Sequence, residues 1–250
     1  MKLFHGWLSS ASRRVRLCLA EKGIAYESVP VDLAAQEHHS PAFLAMNPNG
    51  VVPALVLDDG RFLYESSTIC EYLDETFPTP SLRPADAYVR AQMRNFVRWT
   101  DDHALPHLLI LNWSLALQPV ASQWSDDALA TRLARIPTAS RREAWLRIAR
   151  KPYTDDEKRQ ALESLLALIP KMETSLGSQP WLMGDDYSLA DIAAVPFIAR
   201  IAELAPNALS SDTAPAVADW WRRMQHRPAF SLARIDSFDA ALQARGAMAQ

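Results

Sequence analysis

Three serine hydroxyls lie close together near the start of the chain, in the run from Ser9 to Ser12. They follow a strand-like stretch over residues 2–6 and precede a helical pattern over residues 13–22. The amino end of a helix leaves backbone N–H groups unpaired and carries a partial positive charge, so it lowers the pKa of a thiol held there. Because Cys18 lies well inside the predicted helix, the thiol would have to come from a ligand. The alternative is that one serine only caps the helix.

The elements that position these serines read as a βαβ unit followed by a ββα unit within residues 1–75. A second strand is predicted from Tyr26 to Leu33, and a short helical segment lies around residues 41–46. Two further strands flank the turn Asp58-Asp59-Gly60, and a third helix opens at residues 65–68. This order is that of a thioredoxin-like α/β domain, in which the first two strands pair in parallel.

A proline-rich stretch separates this first domain from the rest of the chain. Pro78, Pro80 and Pro84 favour a stiff linker, so we predict a first domain over residues 1–77, a linker over 78–86 and an all-helical domain over 87–250. The two start signals at Thr154 and Ser188 predict capping boxes, and prolines inside the pattern predict kinks or breaks. The predicted helices cover residues 86–117, 126–135, 155–176, 188–204, 215–226 and 228–244.

Composition excludes several classes of protein. A net charge of −3 and a pI near 6.1 give no reason to expect nucleic acid or an anionic membrane as a partner. Cys18 and Cys70 are too few and too far apart for a zinc site, so no metal is expected and both are predicted to be core residues in a reducing compartment. No apolar run is long enough to span a membrane, and a cytoplasmic location is the expectation.

Four motifs, taken in order, make the chain resemble the glutathione S-transferase family. The run from Ser9 to Arg16 is similar to a zeta-class Ser-Ser-Cys-Ser-x-Arg-Val-Arg run, with Ala11 in place of the cysteine. Residues 37–41, ahead of Asn-Pro, are similar to the phi and delta classes. Val-Val-Pro at 51–53 with Glu-Ser beyond it resembles the family's glutathione frame, and Ser-Leu-Ala-Asp-Ile resembles its helix cap in the second domain. The resemblance covers nearly all of the chain.

The resemblance implies that glutathione is the cosubstrate and assigns residues to its parts. Pro53 would follow a cis peptide bond, which leaves the backbone of Val52 free to pair with the cysteinyl part of glutathione. Glu65 and Ser66 would bind the γ-glutamyl end, and His38 would meet the glycyl carboxylate.

The resemblance also implies a catalytic serine. Ser9 matches it by alignment, with Ser10 and Ser12 expected to help through hydroxyl or N–H donation, and which serine faces the sulfur stays open. His39 takes the place of a neighbouring lysine of the phi class and is also expected to bind glutathione, and the alternative for both histidines is a solvated surface position. Two positions depart from the family: Val51 replaces a common glutamine, which removes one contact to glutathione, and Ala11 removes a cysteine linked to zeta chemistry.

The implied reaction is attack of a glutathione thiolate on a small hydrophobic or aromatic electrophile bound between the domains. The residues expected at that pocket are Trp7, Leu8, His103, Leu108, Asn112 and Trp113. The runs 81–86 and 90–94 look like the bacterial lignin β-etherase branch of the family, which displaces an aryloxide from a β-aryl ether. Alternatives are a zeta-like isomerase or dehalogenase and a non-catalytic glutathione-fold binding protein.

Two further expectations concern surfaces. The resemblance implies a homodimer that uses the third helix and the region from Arg90 to Arg94. Between Arg132 and Lys151 there are seven Lys or Arg against one acidic residue, and we expect a solvated basic face paired with the acidic residues at 155–157 rather than an anion site.

Overall fold

The first domain is built on a four-stranded sheet. The computed structural model describes residues 1–235 and 237–238. The strands follow in the spatial order β2-β1-β3-β4 and are β1 (Lys2–His5), β2 (Glu27–Pro30), β3 (Ala54–Val56) and β4 (Phe62–Tyr64). The parallel pairing of β1 with β2 confirms the predicted βαβ unit, and β3 pairs antiparallel with both β1 and β4. Strand β2 is shorter than predicted because the Asp32 carboxylate accepts from the N–H groups of Ala34 and Ala35 and turns the chain.

Three helices complete this domain: α1 (Ser10–Glu21), α2 (Pro41–Met46) and α3 (Ser66–Thr76). Leu17 of α1 and Leu73 of α3 pack against Leu3 and Leu55 of the sheet, and all four side chains are fully buried. Both cysteines are also buried in this core, as predicted. The core therefore fixes the start of α1 against the end of β1, which is where the serine run lies.

The second domain is helical throughout the described residues. Its helices are α4 (Ala87–Trp99), α5 (Leu105–Ala116), α6 (Gln118–Ala121), α7 (Asp126–Ala134), α8 (Ala139–Arg150), α9 (Asp155–Leu166), α10 (Leu168–Leu176), α11 (Leu189–Leu204), α12 (Pro215–Gln225) and α13 (Pro228–Leu232). Among these residues, no helix is both long and apolar enough to cross a membrane. The last predicted helix is shorter than residues 228–244, and its part from residue 239 onward lies outside the described residues.

Prolines explain two places where one predicted helix is divided. A π-helical turn over Thr100–Ala104 separates α4 from α5, because Pro106 has no N–H to donate to the preceding turn. Pro170 likewise has no N–H for the carbonyl of Leu166, and α9 ends there before α10 begins, as its predicted break requires. Pro196, by contrast, lies inside α11, which continues through it.

The sequence pattern missed α8, where we expected only a basic face. Its Trp145 and Ile148 are buried and, with Leu129 of α7 and Leu117, form a second small core beside the main one. The pattern was obscured because the helix is rich in arginine. The segment is thus a folded part of the domain.

Both predicted capping boxes are present, at Thr154 with Glu157 and at Ser188 with Asp191. Asp191 is fully buried and also accepts from the Trp220 indole N–H and the Leu182 N–H. Burial raises the pKa of Asp191, while these hydrogen bonds oppose that shift. Both boxes serve the fold of the second domain.

Candidate functional site

A cavity of about 450 Å³ lies between the two domains. On the side of the first domain it is lined by residues 6–11, 30–33, Glu37, His38, Val51 and Val52. On the other side it is lined by Leu105, Leu109, Asn112, Trp113, Ala116, Leu117, Arg141 and Phe238. The two walls differ in character, because the first supplies hydroxyls and open backbone groups and the second is mainly apolar and aromatic.

Ser9 is both the cap of α1 and a wall of the cavity. Its Oγ accepts a hydrogen bond from the Ser12 N–H at 3.2 Å. A hydroxyl has one donor and two acceptor positions, so this bond leaves the O–H free to donate toward the cavity. Capping and stabilisation of a bound anion are therefore compatible roles for the same side chain.

The first turn of α1 carries no acidic residue, unlike α7 and α9, whose first turns hold Asp126 and Asp155. Acidic residues in the first turn offset the positive end of the helix dipole. The start of α1 keeps that positive end available and directs it into the cavity.

The other two serines lie in different environments. Ser10 lines the cavity, whereas Ser12 is fully buried behind it. The Ser12 Oγ accepts from the Gly6 N–H at 3.3 Å and so holds the loop that precedes α1. Ser12 therefore lies behind the lining with its hydroxyl on the loop at Gly6, and its expected donation to the sulfur stays a prediction.

Arg16 fixes the loop that carries Trp7 and Leu8, both of which line the cavity as predicted. Its buried guanidinium donates to the carbonyls of Gly6 at 3.2 Å and Trp7 at 3.3 Å and lies 4.8 Å from the centre of the Trp7 ring. Burial and the charge of Arg16 lower the pKa of His5 to about 3, so that ring is neutral near pH 7.

The bond between Val52 and Pro53 is cis, as the resemblance implied. Val52 lines the cavity, while Pro53 does not. Within the described part of the chain, neither the N–H nor the C=O of Val52 has a hydrogen-bond partner. The neighbouring Val51 carbonyl, by contrast, accepts from the Asn47 side chain at 2.7 Å. Val52 thus offers an open peptide edge of the kind that pairs with an extended peptide.

Glu65 and Ser66 lie at the start of α3, outside the lining of the cavity. Glu65 has a φ of 65°, which is uncommon for a residue other than glycine, asparagine or aspartate, and its carboxylate accepts from the Asn49 side chain at 3.2 Å. Ser66 is buried. The backbone of Glu65 is strained and its carboxylate is exposed, at the start of a helix whose first turn has no acidic residue. Such strain is typical of ligand sites.

His38 and His39 are buried, 6% and 2% exposed, rather than solvated. Their rings lie 3.9 Å apart, and only His38 lines the cavity. Burial lowers the pKa of His38 to about 3, helped by the charges of His39 and Arg141, and lowers the pKa of His39 to about 4. Both rings are therefore neutral at pH 7, and His38 can donate or accept a hydrogen bond but brings no positive charge.

Helix α5 presents one face to the cavity. Asn112 and Trp113 line it as predicted, but Leu108 is fully buried in the main core and His103 is exposed, with its ring stacked on Trp99 at 5.1 Å. Placing His103 and Leu108 at the pocket was wrong. The structure places Leu105 and Leu109 at the cavity instead, and the sequence analysis missed both. The helical period from Asn112 does not separate Leu109 from Leu108, since both lie on its side of the helix.

Arg141 in the first turn of α8 also lines the cavity. The expected surface pairing with the acidic run holds for Arg147, which pairs with Glu157, but not for Arg141, whose guanidinium lies 5.6 Å from the centre of the Trp113 ring. Gly50 (φ 59°) lets the segment before α8 pack closely on the first domain, since a Cβ there would meet the Pro137 ring at 3.2 Å. No local signal in the sequence marks this placement, since Arg142 lies in the same first turn, which likewise has no acidic residue.

This combination of a thioredoxin-like domain, a helical domain and a cavity at the amino end of α1 defines the fold class. Residues 8–76 match the family model for the glutathione S-transferase N-terminal domain, and residues 138–228 match that for the C-terminal domain.

Relatives agree across almost the whole chain. Protein LigF of Sphingobium sp. strain SYK-6 is 31% identical over 92% of this chain and 91% of its own length. The crystal structure of that beta-etherase superimposes with a TM-score of 0.84, at 29% identity, covering 93% of this chain and 97% of the other. Maleylacetoacetate isomerase of Pseudomonas aeruginosa is 33% identical over 78% of this chain and 79% of its own. A theta-class transferase from Xanthomonas axonopodis with glutathione bound matches with a TM-score of 0.72, at 25% identity over 94% of this chain and 97% of that one.

The chain belongs to the glutathione S-transferase family and is an enzyme of that family. The resemblance seen in its motifs is thereby confirmed.

Proposed function

We propose that the chain binds glutathione along the first-domain wall of the cavity, stabilises its thiolate and directs it at an aromatic electrophile held by the second-domain wall. The single observation that carries this proposal is the placement of Ser9 and Ser10 at the uncompensated amino end of α1, opening into a cavity with an apolar, aromatic far side.

The residues present fit glutathione. The open peptide edge of Val52 suits the cysteinyl part, and Glu65 with the start of α3 suits the ammonium and carboxylate of the γ-glutamyl end. The buried His38 Nδ1 has no hydrogen-bond partner among the described residues, so it is available to bind a ligand. Glutathione supplies the nucleophilic sulfur.

The chain's own groups then lower the cost of charge on that sulfur. A hydroxyl donor at Ser9 and the positive end of α1 both favour the thiolate over the thiol, and each pKa unit of depression corresponds to about 1.4 kcal/mol. In the reaction the sulfur attacks the carbon that bears the leaving group. The C–S bond forms as the bond to the leaving group breaks, and that group departs with the electron pair. The cavity contributes orientation of the two reactants.

The aromatic second wall favours an aryl substrate. Trp113 and Phe238 line it, and Trp145 lies behind Trp113 with ring centres 5.3 Å apart. The likeness to the beta-etherase LigF over nearly the full chain supports a β-aryl ether as the substrate class, with an aryloxide as the leaving group.

Binding and product analysis test this proposal. We expect calorimetry to detect glutathione binding at millimolar concentration or below, and a β-aryl ether to yield a glutathione thioether and a free phenol. If the protein turns over a chloronitrobenzene but not the ether, the transferase activity is supported and the β-aryl ether is rejected as the substrate class. Absence of glutathione binding at millimolar concentration would refute the proposal.

A zeta-like isomerase is the second candidate, supported by the relative from Pseudomonas aeruginosa. Ala11, which lines the cavity, stands where the zeta-class run has a cysteine and argues against that chemistry. Turnover of a maleyl substrate to its fumaryl isomer would favour the isomerase over the transferase.

We infer further that two copies associate through α3 and the start of α4. Arg94 of α4 pairs with Glu71 of α3, and Tyr88 in the first turn of α4 is 72% exposed, an unusual state for a large aromatic ring. Analytical ultracentrifugation would give twice the 28.0 kDa chain mass if this is correct. A cytoplasmic location stays a prediction, and fractionation of the native cell would test it.

A further inference from the structure

Arg141 lines the cavity, and no carboxylate among the described residues lies within ion-pair distance of its guanidinium. Other buried arginines are partnered, such as Arg14 with Asp101 and Arg200 with Glu203. Arg141 instead faces the Trp113 ring. A partly buried guanidinium without a counter-ion costs free energy, and proteins normally pair such groups.

The position of Arg141 in its helix adds to this cost. It lies in the first turn of α8, where a cation is unfavourable because the helix dipole is positive at that end. The cap residue Thr138 makes no side-chain capping bond, and its Oγ1 is buried without a partner among the described residues. The neighbouring Arg142 is committed elsewhere, since it donates to the carbonyls of Ile136 and Pro137.

The surroundings of Arg141 offer hydrogen bonds but no second positive charge among the residues that line the cavity. His38, 6% exposed, lines the same cavity with an unpartnered Nδ1 and is neutral at pH 7. Asn112, 8% exposed, lines it with an unpartnered Oδ1. Burial lowers the pKa of Arg141 and the charge of Glu65 opposes that shift, but arginine keeps its proton in proteins. The positive charge available to an anion in this part of the cavity is therefore that of Arg141.

We propose that Arg141, at the start of α8, binds a carboxylate of the ligands that occupy the cavity, with His38 as a neutral hydrogen-bonding neighbour. This inference rests on the proposed function and deepens it, because it makes the helical domain contribute a charged group to ligand binding. The carboxylate has two sources: the glycine end of glutathione, and an acidic group on the aromatic electrophile.

The experiment compares wild type with Arg141→Met, which keeps the bulk of the stem and removes the charge. Arg135→Met is the matched control, since Arg135 is exposed on the same segment and its side chain makes no hydrogen bond or ion pair with the described residues. Each protein receives glutathione or its glycyl monoethyl ester, and para-(chloromethyl)benzoate or its methyl ester. Circular dichroism melting checks that all variants fold, and Arg141→Lys tests partial rescue.

If the glycyl carboxylate is the partner, Arg141→Met weakens glutathione binding about 10- to 100-fold and leaves the ethyl ester unchanged. If the electrophile is the partner, kcat/KM for the benzoate falls by a similar factor and that for its methyl ester does not. Equal effects of Arg141→Met on acids and esters, or no effect on any ligand, would overturn the inference. The proposed function would still stand in that case, as long as the wild type binds glutathione. A wild type that binds no glutathione would overturn both.

Discussion

The two walls of the cavity are built by different means. The first-domain wall uses the backbone: the amino end of α1 and the open peptide of Val52, with the strained start of α3 outside the lining. The second-domain wall uses side chains on one face of α5 and one arginine of α8. Backbone groups recognise a constant partner, such as a peptide, whereas side chains can be exchanged without changing the fold.

This difference separates two tasks. In the proposed function, activation of the sulfur belongs to the first wall, since the dipole and hydroxyl donors lie there, and choice of electrophile belongs to the second. Changes behind the first wall should therefore act on folding and thiol chemistry together, and changes on the second should act mainly on ligand binding and substrate choice.

Acid should produce the largest effect, and it should act behind the first wall. His5, His38 and His39 are buried, with pKa values lowered to about 3, 3 and 4. Below pH 6.5 the unfolded chain binds protons that the folded chain does not, so stability falls as pH decreases. Each histidine should cost about 2 kcal/mol between pH 7 and pH 5. Urea unfolding across this range measures the sum, and His38→Gln should reduce the loss by about one third. An identical slope in that variant would contradict the burial of a neutral ring.

The sequence predicted the first wall better than the second. Local signals specify Ser9 as a cap and the start of α3, because turns and helix ends have residue preferences that act over a few positions. The cis bond before Pro53 was predicted from the family resemblance. The buried state of His38 and His39 could not be predicted in this way, since it depends on Trp145 and the segment near Pro137 packing over them from the other domain.

To predict the residues of the second wall, one must know how α5 is rotated about its axis, and the composition of α5 leaves this undetermined. That helix is apolar on most sides, so Leu108 and Leu109 look equivalent in sequence. Only the packing of α5 against α9 and the first domain shows that Leu108 is core and Leu109 is wall. Arg141 was obscured for a related reason, because in a run of seven basic residues nothing local marks the one that turns inward.

Leu108→Ala and Leu109→Ala should separate core from wall. Removing the fully buried Leu108 side chain leaves a cavity in the main core and should cost about 2–5 kcal/mol of unfolding free energy. Leu109→Ala, at the cavity, should cost less than about half as much and instead raise KM for the electrophile. Chemical denaturation and steady-state kinetics on both variants provide the measurement. A change in electrophile KM of equal size in the two variants would remove the distinction.

Ser9→Ala should show whether activation belongs to the first wall. We expect the pKa of bound glutathione to rise by about one to two units and kcat/KM near neutral pH to fall about 10- to 100-fold. The variant also loses a helix cap, worth about 1 kcal/mol. Ser125→Ala is the matched control, because Ser125 caps α7 in the same way, accepting from the Ala128 N–H.

Titration of the thiolate absorbance in the Ser9, Ser10 and Ser12 variants assigns the donor. Ser12→Ala should loosen the loop at Gly6 without a specific shift in the thiol pKa, since its hydroxyl lies behind the cavity. If Ser12→Ala raised that pKa while Ser9→Ala left it unchanged, the assignment of Ser9 would be wrong.

Asn112→Leu should have the smallest effect and the opposite sign on stability. The Asn112 Oδ1 is buried without a partner in the described structure, and an unpaired acceptor costs about 1–3 kcal/mol. Replacing it with an apolar group of similar size should therefore raise the unfolding free energy by about 1 kcal/mol, while KM for electrophiles with a hydroxyl rises a few-fold. Thermal unfolding and kinetics with a phenolic substrate and its methyl ether measure both. Loss of stability without a change in substrate preference would mean that Asn112 supports the fold of α5, and the second wall would then select by shape alone.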